Sequence, residues 1–171
     1  MRFQGTVWKF GDDIDTDLII PARFLNVSDV EELAKNCFAD IRKGFMDMVA
    51  PGDVMVAGKN FGAGSSREHA PLAIKAAGIS VIIAESFARI FYRNAFNVGL
   101  PLVESLEASR SLNEGAMVSV NLSTGEIEDM DTGRRFFAKP LPDLMRHIIE
   151  AGGLVEYVKI KRANNELSKA R

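Results

Sequence analysis

The chain's hydrophobic pattern opens with Phe3–Phe10, where aromatic and β-branched residues alternate with polar ones as in a half-buried strand. A polar loop with four acids follows (Asp12, Asp13, Asp15, Asp17), then a short apolar run, Leu18-Ile19-Ile20, closed by Pro21. Ser28-Asp29-Val30-Glu31 has capping-box spacing and predicts a helix through Leu33, Ala34 and Cys37 to about Phe38. Gly44–Val49 reads as a further helical turn stopped by Pro51-Gly52, and Asp53–Ala57 as a strand. Apolar positions from Ala70 to Ala77 predict a helix ending at Gly78. Ser80–Ala84 is an uninterrupted apolar run, the signature of a strand buried on both faces. Ser86–Gly99 reads as a Ser-capped helix ending in glycine, and Leu100–Val103 as another strand. Strand, helix, strand, helix, strand in this order predicts α/β organisation with largely parallel pairing. Beyond it, Met117–Leu122 and Glu126–Met130 flank Ser123-Thr124-Gly125 as a hairpin, with Arg135–Ala138 as a further strand. Leu144–Ala151 predicts a helix, Leu154–Ile160 alternates like a strand, and residues 163–171 form a polar tail after a single domain spanning 1–162.

Composition narrows the class. The 171 residues suit one domain with a real core, and 47% apolar with 26% charged residues is ordinary for a globular protein. A net charge of −2 supplies no basic field for nucleic acid. No apolar run approaches the ~20 residues of a membrane span, and no signal-like segment opens the chain, so the expected location is cytoplasmic. The single cysteine, Cys37, excludes an internal disulfide and any cysteine-rich metal site supplied by this chain alone.

The candidate chemistry lies in Gly58–Ala70, between a predicted strand and a predicted helix. Gly62 and Gly64 permit close backbone approach or positive φ, and Ser65-Ser66-Arg67 follows where the first helical turn is expected. A helix start attracts anions, and an arginine fork suits a carboxylate. The stretch therefore reads as a carboxylate cradle holding a serine hydroxyl, with a plain Ser-capped helix start as its structural rival. Three common loop motifs fail. P-loop spacing is wrong, because five residues rather than four separate Gly52 from Gly58-Lys59 and Asn60 follows. Arg67 blocks the third small residue of a dinucleotide fingerprint, and Glu68 breaks a nucleophile elbow around Ser66. The acidic loop lacks the glycine an EF-hand needs at Leu18, leaving a solvated turn or a ligand for a substrate hydroxyl. Arg89 and Arg93 share one helix face, which is either solvated, a brace for the cradle, or a partner contact.

Three segments in order, Asp13-Ile14-Asp15-Thr16-Asp17-Leu18-Ile19-Ile20-Pro21-Ala22-Arg23, Gly64-Ser65-Ser66-Arg67-Glu68-His69 and Ser86-Phe87-Ala88-Arg89-Ile90-Phe91-Tyr92-Arg93-Asn94-Ala95, resemble the small-subunit family of 3-isopropylmalate dehydratase within the aconitase superfamily. The resemblance covers roughly residues 5 to 160. It implies a swivelling β/β/α three-layer domain. It also implies a large subunit that carries a [4Fe–4S] cluster, in a heterodimer or heterotetramer inactive without it, and a small dicarboxylate substrate. The implied reaction interconverts 2- and 3-isopropylmalate by dehydration and rehydration in leucine biosynthesis. Ser65 matches the family's catalytic base, and Arg67 its carboxylate clamp. Ser66, Thr16 and Asp17 match neighbouring substrate-binding positions, while Glu68 and His69 read as supporting helix residues. Phe24-Leu25-Asn26-Val27 occupies the substrate-selecting segment. Homoaconitase-type relatives carry an arginine there that grips an extra carboxylate, and Asn26 cannot, which favours an isopropyl group lined by Leu25 and Val27. Ala63 stands where many relatives have cysteine. The alternatives are a homoaconitase or dimethylmalate dehydratase small subunit, and a non-catalytic carboxylate-binding module.

Overall fold

Four parallel strands, β1 (Arg2–Lys9), β2 (Val54–Ala57), β3 (Val81–Ala84) and β4 (Leu102–Glu104), form one half of a seven-stranded mixed sheet. The antiparallel half is β5 (Met117–Asn121), β6 (Glu126–Asp129) and β7 (Arg135–Phe137), and the order across the sheet is β4-β3-β2-β1-β5-β6-β7. The computed structural model describes residues 1–27 and 29–169. β2 and β3 are buried at every position, as their unbroken apolar sequences predict for strands covered on both faces. β1 is the pivot. Its first half, Arg2–Thr6, pairs antiparallel with β5, while Val7–Lys9 pairs parallel with β2.

The helices are α1 (Thr16–Ile19), α2 (Val30–Lys35), α3 (Phe45–Met48), α4 (His69–Ala76), α5 (Arg89–Asn97), α6 (Leu106–Ser111), α7 (Asp143–Glu150) and α8 (Leu154–Lys169). α4 and α5 are the crossovers that return β2 to β3 and β3 to β4, so the loops entering them open at the carboxyl ends of the parallel strands. Aromatic contacts hold α3 and the segment after α2 against β1. Phe38 lies 4.3 Å from Phe10 and 5.3 Å from Phe45 between ring centroids. Asp53, buried at the start of β2, accepts bonds from Trp8 Nε1 (2.8 Å), Thr6 N (3.1 Å) and Ala50 N (2.8 Å), tying β1 to the turn before β2.

Four local expectations change. Residues 154–160 are helical rather than extended, and the helix runs through residues 163–169. Leu154, Tyr157 and Val158 also fit i, i+3, i+4 spacing, and the short apolar alternation did not separate the two periods. α6 follows β4 with Ser105 as its cap, accepting from Ala108 N, a helix too short for periodicity to reveal. Ser86 does not cap α5. Its hydroxyl instead accepts Asn60 N at 2.9 Å, and the cap position passes to Ala88. α2 is capped by Asp29, whose carboxylate accepts Glu31 N at 2.8 Å; Ser28, named as cap from the sequence, lies outside the described residues.

Candidate functional site

Three loops, following β1, β2 and β3, are zipped to one another at the same end of the sheet. Gly58 N donates to Gly11 O and Asp13 N to Lys59 O. Gly62 N then donates to Ile14 O at 2.7 Å and Thr16 N to Ala63 O at 2.8 Å. On the other side Phe61 N bonds Ser86 O and Ala88 N bonds Phe61 O. The glycine loop is thereby clamped between the acidic loop and the entry to α5. Gly62 is required there. Its φ is +79°, and a Cβ would lie 2.1 Å from Phe91 Cγ.

The four acids of the first loop do not form one cluster: Asp12, Asp13 and Asp17 are exposed, and each of the four meets a different partner. Asp12 accepts Lys59 N, Asp13 accepts the Asn60 side chain at 2.9 Å, Asp15 caps α1 through Leu18 N, and Asp17 pairs with Arg67. Short side chains near turning backbone satisfy such N–H groups locally, which is why the loop is rich in aspartate.

Ser65 and Thr16 come together. Thr16 Oγ1 lies 3.5 Å from Ser65 Oγ and donates to Ser65 O at 3.3 Å. Thr16 is buried while Ser65 and Ser66 are exposed, so a fixed hydroxyl supports a reachable one. Arg67 comes to Asp17: its Nη1 donates to the Asp17 carboxylate and, at 3.4 Å, to Ile20 O, with the arginine side chain only 15% exposed. The guanidinium is therefore oriented rather than free. Among the described residues the N–H groups of Gly64, Ser65 and Ser66 have no intramolecular acceptor.

One expectation fails at this point. The serines do not sit in the first helical turn. α4 starts at His69 with Glu68 at the cap position and no side-chain cap bond, and Arg67 N donates to Ser65 O at 2.8 Å. A helix dipole acts mainly within its first turn, so little of it reaches Ser65, and Arg67 with the open loop N–H groups remains the nearby positive potential.

Residues 22–24 form a 3-10 turn, with the Arg23 fork on Asp40 (2.8 and 2.5 Å) and its guanidinium 4.7 Å from the Phe24 ring centroid. The Arg23 hydrogen bond holds the Asp40 carboxyl below its usual range. Phe24 and Val27 pack on the core, Leu25 is half-buried and Asn26 exposed, and none of the four lines the main cleft.

That cleft, about 700 Å³, lies between the glycine loop and α5, walled by Asn60, Gly64 and Ser66 on one side and Arg89, Arg93 and Asn94 on the other. The sequence reading gave Asn60 and Asn94 no role in the site. Asn60 adopts a left-handed conformation (φ +54°), which asparagine tolerates, and that preference within a glycine loop was the available signal.

Comparison with known proteins accounts for this arrangement. The aconitase C-terminal domain family matches residues 5–107, the span holding all three loops. The 3-isopropylmalate dehydratase small subunit of Caldicellulosiruptor bescii is 57% identical over 93% of this chain and 96% of its own length. That of Heliobacterium modesticaldum is also 57% identical, over 97% and 100%. A crystal structure of 3-isopropylmalate dehydratase from Methanocaldococcus jannaschii superposes with a TM-score of 0.92 at 44% identity, covering 98% of this chain and 99% of that one. Near-complete coverage, high identity and a shared fold place the three zipped loops in one lineage: the chain belongs to the 3-isopropylmalate dehydratase small-subunit family, built on the aconitase C-terminal domain.

Proposed function

We propose that this chain is the small subunit of a hydro-lyase that interconverts 2- and 3-isopropylmalate, the reaction its relatives' names point to, and that it works only with a large subunit in a heterodimer or heterotetramer. The observation that carries the reading is the pairing of Ser65 with Thr16 and of Arg67 with Asp17 on adjoining loops.

In this reading the Ser65 oxygen takes the proton from the carbon next to a substrate carboxylate. The C–O bond on the neighbouring carbon breaks, and hydroxide leaves as the double bond forms. Rehydration adds the hydroxyl to the carbon that lost the proton and a proton to the carbon that lost the hydroxyl. Free serine is far too weak an acid for this, so the alkoxide needs local positive potential. Arg67 supplies it while clamping a carboxylate with the guanidinium edge that Asp17 leaves free. Ser66 and the open N–H groups of the loop add donors, Thr16 holds Ser65 in place, and Asp17 aims the arginine. Phe24, Leu25, Asn26 and Val27 form the substrate-selecting segment.

A departing hydroxide also calls for a Lewis acid. The residues of this chain do not fit a [4Fe–4S] cluster. Cys37 is buried in the core, where burial pushes its thiol pKa up, and among the described residues no three His, Cys, Asp or Glu stand together as a metal site. We assign the cluster to the large subunit.

The test is reconstitution. The isolated chain is expected to be inert toward 3-isopropylmalate and the two-subunit complex active. Ser65→Ala is expected to lower kcat by at least ~100-fold with subunit association intact, in line with removal of a general base. Full turnover by the isolated chain sinks the subunit assignment, and wild-type kcat in Ser65→Ala removes Ser65 from the chemistry.

A further inference from the structure

The cleft's α5 wall holds two arginines that the reading above leaves unused. Arg89 and Arg93 stand four residues apart on one helix face, opposite Gly64 and Ser66 of the glycine loop. Both are exposed, and among the described residues neither has a hydrogen-bond or ion-pair partner. Arg23, Arg42, Arg67 and Arg110, by contrast, each face a carboxylate of their own. Among the described residues no Asp or Glu lines the cleft, so its positive charge is uncompensated. Ile90, 49% exposed, gives the same wall an uncovered apolar part. Ser65 and Arg67 are not among the walls, so the cleft adjoins the proposed catalytic pair without containing it.

We infer that this cleft seats an acidic segment of the large subunit, with Arg89 and Arg93 taking two of its carboxylates and Ile90 an apolar side chain beside them; this deepens the two-subunit reading and rests on it. Two guanidinium forks one helical turn apart, in a concave place without acids, make a positive patch whose complement is negative. Arginine beside an exposed aliphatic side chain is also the composition of a protein interface, where arginine is enriched and lysine depleted. Position names the occupant. Gly64 and Ser66 line the cleft and flank Ser65 in the chain, so a segment seated there brings its parent subunit to the edge of the exposed serine loop. That is where a Lewis acid held by the large subunit has to arrive. A second copy of this chain is a poorer occupant, because an isologous contact centred on the cleft sets the arginines of one protomer against those of the other.

The experiment measures association of the two separately purified subunits by sedimentation without substrate, comparing the wild-type chain with Arg89→Glu, Arg93→Glu and the double variant. The dissociation constant is expected to rise about tenfold for each single variant and about a hundredfold or more for the double. Added salt should weaken wild-type association and leave that of the double variant nearly unchanged. Arg89→Lys and Arg93→Lys are expected to recover part of the affinity, since the charge remains and the fork is gone. At saturating large subunit, kcat and KM for 3-isopropylmalate should stay within about twofold of wild type, because the arginines hold the partner and not the substrate. An unchanged dissociation constant in the double variant overturns the inference. So does a raised KM at saturating large subunit with subunit affinity intact, which assigns the arginines to a small anion. Self-association of the isolated chain that the double variant abolishes, again with subunit affinity intact, assigns the cleft to a second copy and overturns it as well. A wild-type complex that forms but does not turn over overturns the hydro-lyase reading alone, since the dissociation constants are read without substrate.

Discussion

Gly62→Ala isolates the strain on which the glycine loop depends, because the chain contains its own control. Gly62 and Gly115 both have φ of +79°, but a Cβ on Gly115 meets nothing within 4 Å, whereas one on Gly62 comes within 2.6 Å of three Phe91 atoms. Left-handed backbone costs an alanine about 1–2 kcal/mol, offset by about 0.4–1 kcal/mol from the stiffer unfolded chain. Gly115→Ala is therefore expected to destabilise by roughly 1 kcal/mol. At Gly62 the Phe91 ring must also move. It is 1% exposed, stacked 6.5 Å from Phe87 and edge-on to Phe61 at 5.3 Å, so overpacking adds about 1–3 kcal/mol. Gly62→Ala should then cost roughly 2–4 kcal/mol, or about 5–15 °C in Tm for a chain of this size. Urea unfolding followed by circular dichroism measures both variants side by side. A Gly62→Ala loss no greater than that of Gly115→Ala refutes the steric reasoning. Subunit association provides the second readout: Phe91 belongs to α5, so a displaced ring also shifts the wall bearing Arg89 and Arg93, and the dissociation constant of the complex should rise even at temperatures where the variant is folded.

Asn26→Arg places a cation in the substrate-selecting segment and should shift kcat/KM about tenfold toward substrates with an additional carboxylate, consistent with ~1.5 kcal/mol or more for a charged hydrogen bond; an unmoved ratio in a two-substrate competition removes the segment from selection. Cys37 is buried with its pKa raised above the ordinary thiol value of 9.0. Iodoacetamide should leave it unmodified in the folded chain at pH 8 and alkylate it after unfolding. The folded state holds the proton where the unfolded state releases it, so this contribution to stability is complete below pH 9 and declines as pH rises past it. Urea midpoints from pH 8 to 10 that decline equally in Cys37→Ala assign the effect to another group.

Much of the architecture was legible in residue order alone. Val54–Ala57 and Val81–Ala84 are short, wholly apolar runs with turn residues at both ends, and a strand covered on both faces is the simple way to bury them. The Ser123-Thr124-Gly125 turn between two alternating segments likewise specified the β5–β6 pairing. Local pattern misled where periods overlap or a cap has competitors. Residues 154–160 satisfy helix and strand spacing alike, and only packing beside α7 and α5 separates them. Ser86 has the composition of a cap, but Asn60 N, 26 residues away, needs its hydroxyl more than α5 does.

The site divides along the same line. The sequence by itself determined which groups are available: a doubled serine, an arginine beside it, a Thr-Asp pair, and two arginines at helical spacing. It also carried the family likeness, since motifs survive as residue types. Tertiary structure alone decided who meets whom. Thr16 reaches Ser65 across 49 positions and Asp17 takes Arg67 across 50, because parallel pairing of β1 with β2 brings the loops at their carboxyl ends together. It also decided that Arg67 is already paired while Arg89 and Arg93 are not, a matter of which carboxylates come within reach. Charge neutralisation is a property of distance in space, and distance in space is the quantity a linear pattern does not contain.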